Sequence, residues 1–160
     1  MPSGGNRRRL EELWLGELER VGVRRAKIQA PEFVPEALTR AVGQFNDAQY
    51  WDCHETLEEL WLETPYPLRF FYHGVIKAAV GFHHLSRHNR NGARTKLSDA
   101  VRLLSLFQPE FLGLRTDLLS DDVSTWLVRL ESSDRADWVE LDALERPVIW
   151  EPGGIGRYGP

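Results

Sequence analysis

The chain carries one cysteine, Cys53, and one methionine. A lone cysteine excludes an intrachain disulfide and any cysteine-rich metal motif, and a reducing compartment suits it best. Long hydrophobic runs are missing as well. No stretch reaches the roughly 20 apolar residues that a membrane span needs, and the N-terminus lacks the apolar run of a signal peptide, so a cytoplasmic protein without membrane association is expected. Positive charge is not in excess. The 20 Lys and Arg face 24 Asp and Glu, a formal net charge of −4, whereas phosphate neutralisation needs a basic face. The run Arg7, Arg8, Arg9 is followed by Glu11, Glu12, Glu17 and Glu19 and reads as a solvated helix start. Nucleic acid is therefore not an expected partner. Gly-rich phosphate loops, nucleophile elbows, internal repeats and convincing alternating strands are all absent.

What remains is helical periodicity. With 42% hydrophobic residues, six Trp and seven Phe in 160 residues, the chain can build the core of one ordinary domain. Leu10, Leu13, Trp14, Leu18 and Val21 recur at helical spacing and predict a first helix ending near Gly22. Pro31 and Pro35 mark a loop, and a second helix follows from about Glu36 with Leu38, Ala41, Val42 and Phe45 inward. The third starts near Asp47 to Tyr50. Its stripe is Tyr50, Cys53, Leu57, Leu60 and Trp61, with Asp52, Glu55, Glu59 and Glu63 outside. Thr64, Pro65 and Pro67 separate it from a fourth helix over about 68–88, apolar around most of its circumference as a central helix must be. His73, Lys77, His84 and His88 share its narrow polar stripe, and Gly74 and Gly81 suit a close helix approach. A fifth helix is predicted from Ala93 to Phe107. Ser120 is read as the N-cap of a sixth, followed by Asp121 and Asp122 in the first turn. The expected fold is an all-α bundle of about five or six helices over residues 1–145, with residues 146–160 an irregular, extended tail anchored by Trp150.

One pair of residues breaks the pattern. His54 and Glu58 lie one helical turn apart beside the apolar stripe of the third helix rather than opposite it. Their Cβ atoms fall about 5–6 Å apart, close enough for a hydrogen bond or for two ligands to one ion. A buried polar group left without a partner costs on the order of 1–3 kcal/mol, so the pair has partners or a ligand.

The residues Phe45, Asn46, Tyr50, Trp51, His54, Glu55, Glu58 and Trp61 form a motif that resembles the family called domain of unknown function 309. The following stretch, from Phe71, Tyr72, His73, Gly74, Val75 and Ile76 through Lys77, Ala78 and Ala79 to His84, strengthens the resemblance. His73 stands where the family typically carries Gln; it keeps hydrogen-bonding capacity and adds a titratable group. The resemblance covers about residues 36–107 and implies a compact helical bundle, with no established activity or cofactor. It also keeps Glu55 as a secondary site candidate, although on the helical wheel Glu55 lies about 100° from His54 and reads as a solvated carboxylate.

Three uses of the pair compete. In a structural latch, His54 bonds Glu58, Asn46 or a residue of the fourth helix. In a metal site, His54 and Glu58 are weak candidates, because a zincin-like motif needs a second His where Glu58 stands and a di-iron bundle needs paired Glu-x-x-His. In a ligand site, helix geometry decides the partners. His73 and His84 are roughly 16 Å apart along one axis and cannot share a ligand atom, and Lys77 beside His73 opposes a cation. Asn46, His54, Glu58, His73 and Lys77 are therefore expected to form one cluster that binds a small polar or anionic molecule, without metal or cofactor. A hydrolase or lyase with His54 as general base and Lys77 or His73 stabilising negative charge is the alternative, and a purely structural or protein-interaction scaffold the third. His83 is read as a packed histidine and Cys53 as core rather than nucleophile. Nothing in the sequence sets the oligomeric state.

Overall fold

The computed structural model describes residues 4–21, 30–131 and 137–151. Among them the chain is all-helical: α1 (Gly4–Val21), α2 (Glu36–Asn46), α3 (Tyr50–Glu63), α4 (Arg69–Ser86), α5 (Arg90–Leu104) running into a 3-10 turn (Ser105–Phe107), α6 (Thr116–Glu131) and a short α7 (Trp138–Ala143). An isolated antiparallel bridge, Phe111 to Leu114, is the nearest thing to a strand. No helix is long and apolar enough to cross a membrane among these residues.

The fourth helix is the centre, as its apolar circumference requires. It packs against α3 on one side and α5 on the other, while α2 covers α3 and α6 covers α5. Phe82 of α4 is fully buried and its ring meets those of Phe45, Tyr50 and Trp126, so one side chain ties α2, α3, α4 and α6 together. Gly74 and Gly81 face α5. A Cβ on Gly81 would stand 2.5 Å from Leu97 Cδ2, and one on Gly74 would stand 3.1 Å from Leu104, so both glycines let α4 and α5 approach closely.

Four local expectations are corrected. Of the α1 stripe, Leu18 faces inward together with Leu15, whereas Leu10, Leu13 and Trp14 are exposed, because spacing alone does not say which apolar residues of a helix meet the bundle. The end of that helix near Gly22 lies outside the described residues. Helix α5 begins at Arg90, because the Asn89 side chain accepts a hydrogen bond from the Gly92 N–H at 3.0 Å and caps the first turn. Ser120 is no cap. It is buried inside α6, which starts one turn earlier at Thr116, where the Thr116 hydroxyl donates to the Phe107 carbonyl at 2.6 Å and Asp117 sits in the first turn against Arg115. Finally α7 is a helix the sequence reading did not propose; Asp137 caps it by accepting from the Glu140 N–H at 3.2 Å.

Of the tail, residues 146–151 are without helix or strand, and 152–160 lie outside the described residues. The anchor is Ile149 rather than the Trp150 side chain. Ile149 is buried, its N–H donates to Asn46 Oδ1 at 2.7 Å, and its carbonyl accepts from Asn46 Nδ2 at 3.2 Å. The Trp150 carbonyl accepts from the Arg115 N–H at 2.7 Å.

Candidate functional site

Helix α3 offers Trp51, His54, Glu58 and Trp61 to one side, and α4 offers His73, Ile76, Lys77 and Val80 at the i, i+3, i+4, i+7 spacing of a single helix face. These side chains, with Lys96 from α5, line one cleft of about 310 Å³. The sequence cluster is thus brought together except for Asn46, which does not line the cleft. It clamps Ile149 instead, because its amide offers both an acceptor for the Ile149 N–H and a donor for the Ile149 carbonyl.

The walls are aromatic. The His54 ring lies 4.7 Å from that of Trp51, and the His73 ring 5.2 Å from that of Trp61. Arg69 fixes Trp61 twice over: its guanidinium stands 4.1 Å above the indole and its Nε donates to the Trp61 carbonyl at 2.9 Å. Trp51 donates its indole N–H to Glu55 at 2.8 Å on the exposed side of α3. Glu55 therefore steadies a wall from outside and does not line the cleft.

His54 and Glu58 are only loosely engaged with each other. His54 Nε2 stands 3.4 Å from Glu58 Oε2, and the Glu58 side chain is 48% exposed. His54 Nδ1 is buried with no hydrogen-bond partner. Lys77 does not pair with Glu58. Its Nζ stands 3.4 Å from Asp99 of α5, leaving Glu58 to His54. Lys96 completes the basic end; burial pushes its amine below the ordinary lysine value, the neighbouring Lys77 pushes the same way, and Asp99 opposes. No group of three or more His, Cys, Asp or Glu that could hold a metal ion occurs among the described residues.

The remaining histidines stand apart from the cleft lining. His83 is half-buried against Trp51, 5.0 Å between rings, and burial, followed by Arg87, His84 and His54, lowers its pKa. His84 meets the Asn89 amide. His88 has left α4 altogether and stacks on Trp138 of α7 at 4.5 Å. Cys53 is buried, and its thiol is pushed up to about 12 by that burial, which keeps it protonated and inert at neutral pH.

One cleft residue, Lys96, and the partner of another, Asp99, escaped the sequence reading. Lys96 shares the helical spacing of Ala93, Leu97 and Ala100, and a lysine beside an apolar stripe is the same signal that marked His54. Asp99 gave no signal, since a carboxylate three residues from a lysine on a helix reads as surface charge.

The family model described as "Domain of unknown function (DUF309)" matches residues 38–95. Over that segment the chain is similar to the DUF309 family. The matched segment holds all of α3 and α4, hence every cleft residue named from those helices, and it stops one residue short of Lys96. The uncharacterized protein YpuF of Bacillus subtilis (strain 168) is 41% identical to this chain over 72 residues, which is 44% of this chain and 41% of YpuF. The chain thus matches less than half the length of that relative.

Proposed function

We propose that the cleft between α3 and α4 is a binding site for a small molecule carrying an anionic group and an apolar or aromatic body. The observation that carries this reading is the convergence of two lysines, two histidines and one glutamate on a cleft walled by two indoles. The His54–Glu58 and Lys77–Asp99 contacts are loose, at 3.4 Å each, and His54 Nδ1 is unsatisfied. A structural latch would instead hold its members at ordinary hydrogen-bond distances near 2.7–3.2 Å. The basic end suits a carboxylate or phosphate, and Trp51 and Trp61 suit a flat or aliphatic body beside it. No metal, cofactor or nucleic acid enters this reading, and the single cysteine fits a cytoplasmic setting.

Thermal melts in benzoate, pyruvate and inorganic phosphate test it. A ligand that binds only the folded state at about a hundred times its Kd stabilises by about 2.7 kcal/mol, so at least one of these anions is expected to raise the melting temperature of the protein. The rise should vanish in Lys77→Gln. No shift with any of the three, or equal shifts in the variant, would overturn the assignment.

A further inference from the structure

Two ring contacts set the register of α3 against α4. Trp61 meets the His73 ring and Trp51 meets the His83 ring, so ten residues back along α3 correspond to ten residues forward along α4. The two helices are therefore antiparallel. Glu58, three residues before Trp61, stands level with Ile76, three residues after His73, and hence beside Lys77 on the facing wall. Both charged residues line the aromatic cleft.

Opposite charges at one level of a cleft attract each other and would ordinarily close into an ion pair. These two do not. Lys77 turns to Asp99 of α5, and Glu58 meets His54 Nε2 only at 3.4 Å, with its side chain 48% exposed. A second, more polar cleft of about 350 Å³ adjoins on the α1 side and shares His73, Lys77 and Lys96, but its glutamates are engaged there: Glu12 faces Arg102, and Glu11 accepts from the Tyr66 hydroxyl at 2.6 Å. Among the described residues, Glu58 is the carboxylate that lines the aromatic cleft. A ligand bringing only negative charge would have to sit beside it, and like charges in one partly desolvated site repel. A ligand with an ammonium next to its anionic group suits both walls.

We propose that the ligand of this cleft is a zwitterionic amino acid with an aromatic side chain, its ammonium on Glu58, its carboxylate toward Lys77 and Lys96, and its ring against Trp51 and Trp61. This rests on reading the cleft as an anion site and adds the cation that the glutamate calls for. At about 310 Å³ the cleft is at the small end of ligand pockets, which suits one amino acid rather than a peptide. An aromatic ring gains from offset or edge-on packing against an indole, and an ammonium beside an indole face gains as well.

Isothermal titration calorimetry tests this with L-phenylalanine, with 3-phenylpropionate, which lacks the ammonium, and with phenethylamine, which lacks the carboxylate. L-phenylalanine is expected to bind at least about tenfold more tightly than either, the factor that goes with losing one charge-assisted hydrogen bond. Glu58→Gln should keep its helical circular dichroism, bind 3-phenylpropionate at least as tightly as the wild type does, and lose the preference for L-phenylalanine. If 3-phenylpropionate binds the wild type as tightly as L-phenylalanine, or if the preference survives in Glu58→Gln, the zwitterion on Glu58 is overturned and the anion site stands. The same holds if none of the three binds while benzoate, pyruvate or phosphate still raises the melting temperature. If phenethylamine binds best, or if no anion binds or stabilises at all, both readings are overturned.

Discussion

Replacing Phe82 by alanine is expected to destabilise the fold by about 3–5 kcal/mol, the range for deleting a fully buried phenylalanine. Phe82 has no exposed surface, and its ring stands 5.6 Å from Tyr50, 6.0 Å from Phe45 and 6.1 Å from Trp126, two of these contacts edge-on. Four helices would lose a shared contact and leave a cavity that rigid neighbours cannot close. A domain of this size holds roughly 5–15 kcal/mol in total, so the variant should be near the edge of folding at 37 °C. Urea denaturation followed by circular dichroism measures the loss. A cost below about 2 kcal/mol would mean that the ring cluster is not the keystone described here.

The second large effect concerns the α4–α5 contact that places Lys96 beside Lys77. Gly81→Ala should gain about 1 kcal/mol in helix propensity, yet its Cβ would lie 2.5 Å from Leu97 Cδ2, 2.7 Å from Leu97 Cγ and 3.2 Å from the Leu97 backbone nitrogen. The backbone contact cannot be relieved by a rotamer change, and Leu97 is fully buried. Overpacking costs about 1–3 kcal/mol, so the net effect is a loss. Leu97→Ala alone should cost about 2–5 kcal/mol. The double variant should be better than the sum, because each change makes room for the other. Additive losses in denaturant melts would show that the two residues are not in the contact described.

Much of this architecture was legible in the sequence, because it follows from periodicity and punctuation. The prolines at 65 and 67 separate α3 from α4, and the near-continuous apolar run of α4 marks it as the centre. Placing His54 and Glu58 beside the stripe of α3, and His73 and Lys77 on the polar stripe of α4, was enough to bring those four together. What failed depended on tertiary partners. Asn46 is polar at a helix end, and only the return of the tail turns it into a clamp for Ile149. Lys77 was grouped with Glu58 in one cluster, and its partner Asp99 comes from the α4–α5 contact, which spacing within α4 does not reveal. The two faces of α1 could not be ranked without knowing which of them met the bundle. Helix α7 carries the signature Asp137-x-x-Glu140, but at six residues it is too short for periodicity to reveal.

The geometry also separates the two readings of His54. A latch would be tight and enclosed, whereas this pair is 3.4 Å apart with Glu58 half exposed, an arrangement worth at most about 1 kcal/mol. The ring additionally buries an unsatisfied Nδ1, and removing it relieves that cost. Stability and binding should therefore part company when His54 is replaced.

Paired urea melts of the wild type and His54→Ala, each with and without benzoate, pyruvate and phosphate, put that directly to the test. The account predicts that the variant stays within about 1 kcal/mol of the wild type without ligand and loses the stabilisation that the wild type gains from anion. A loss above about 2 kcal/mol, with no response to any of these anions in either protein, would contradict it and make His54 a structural latch.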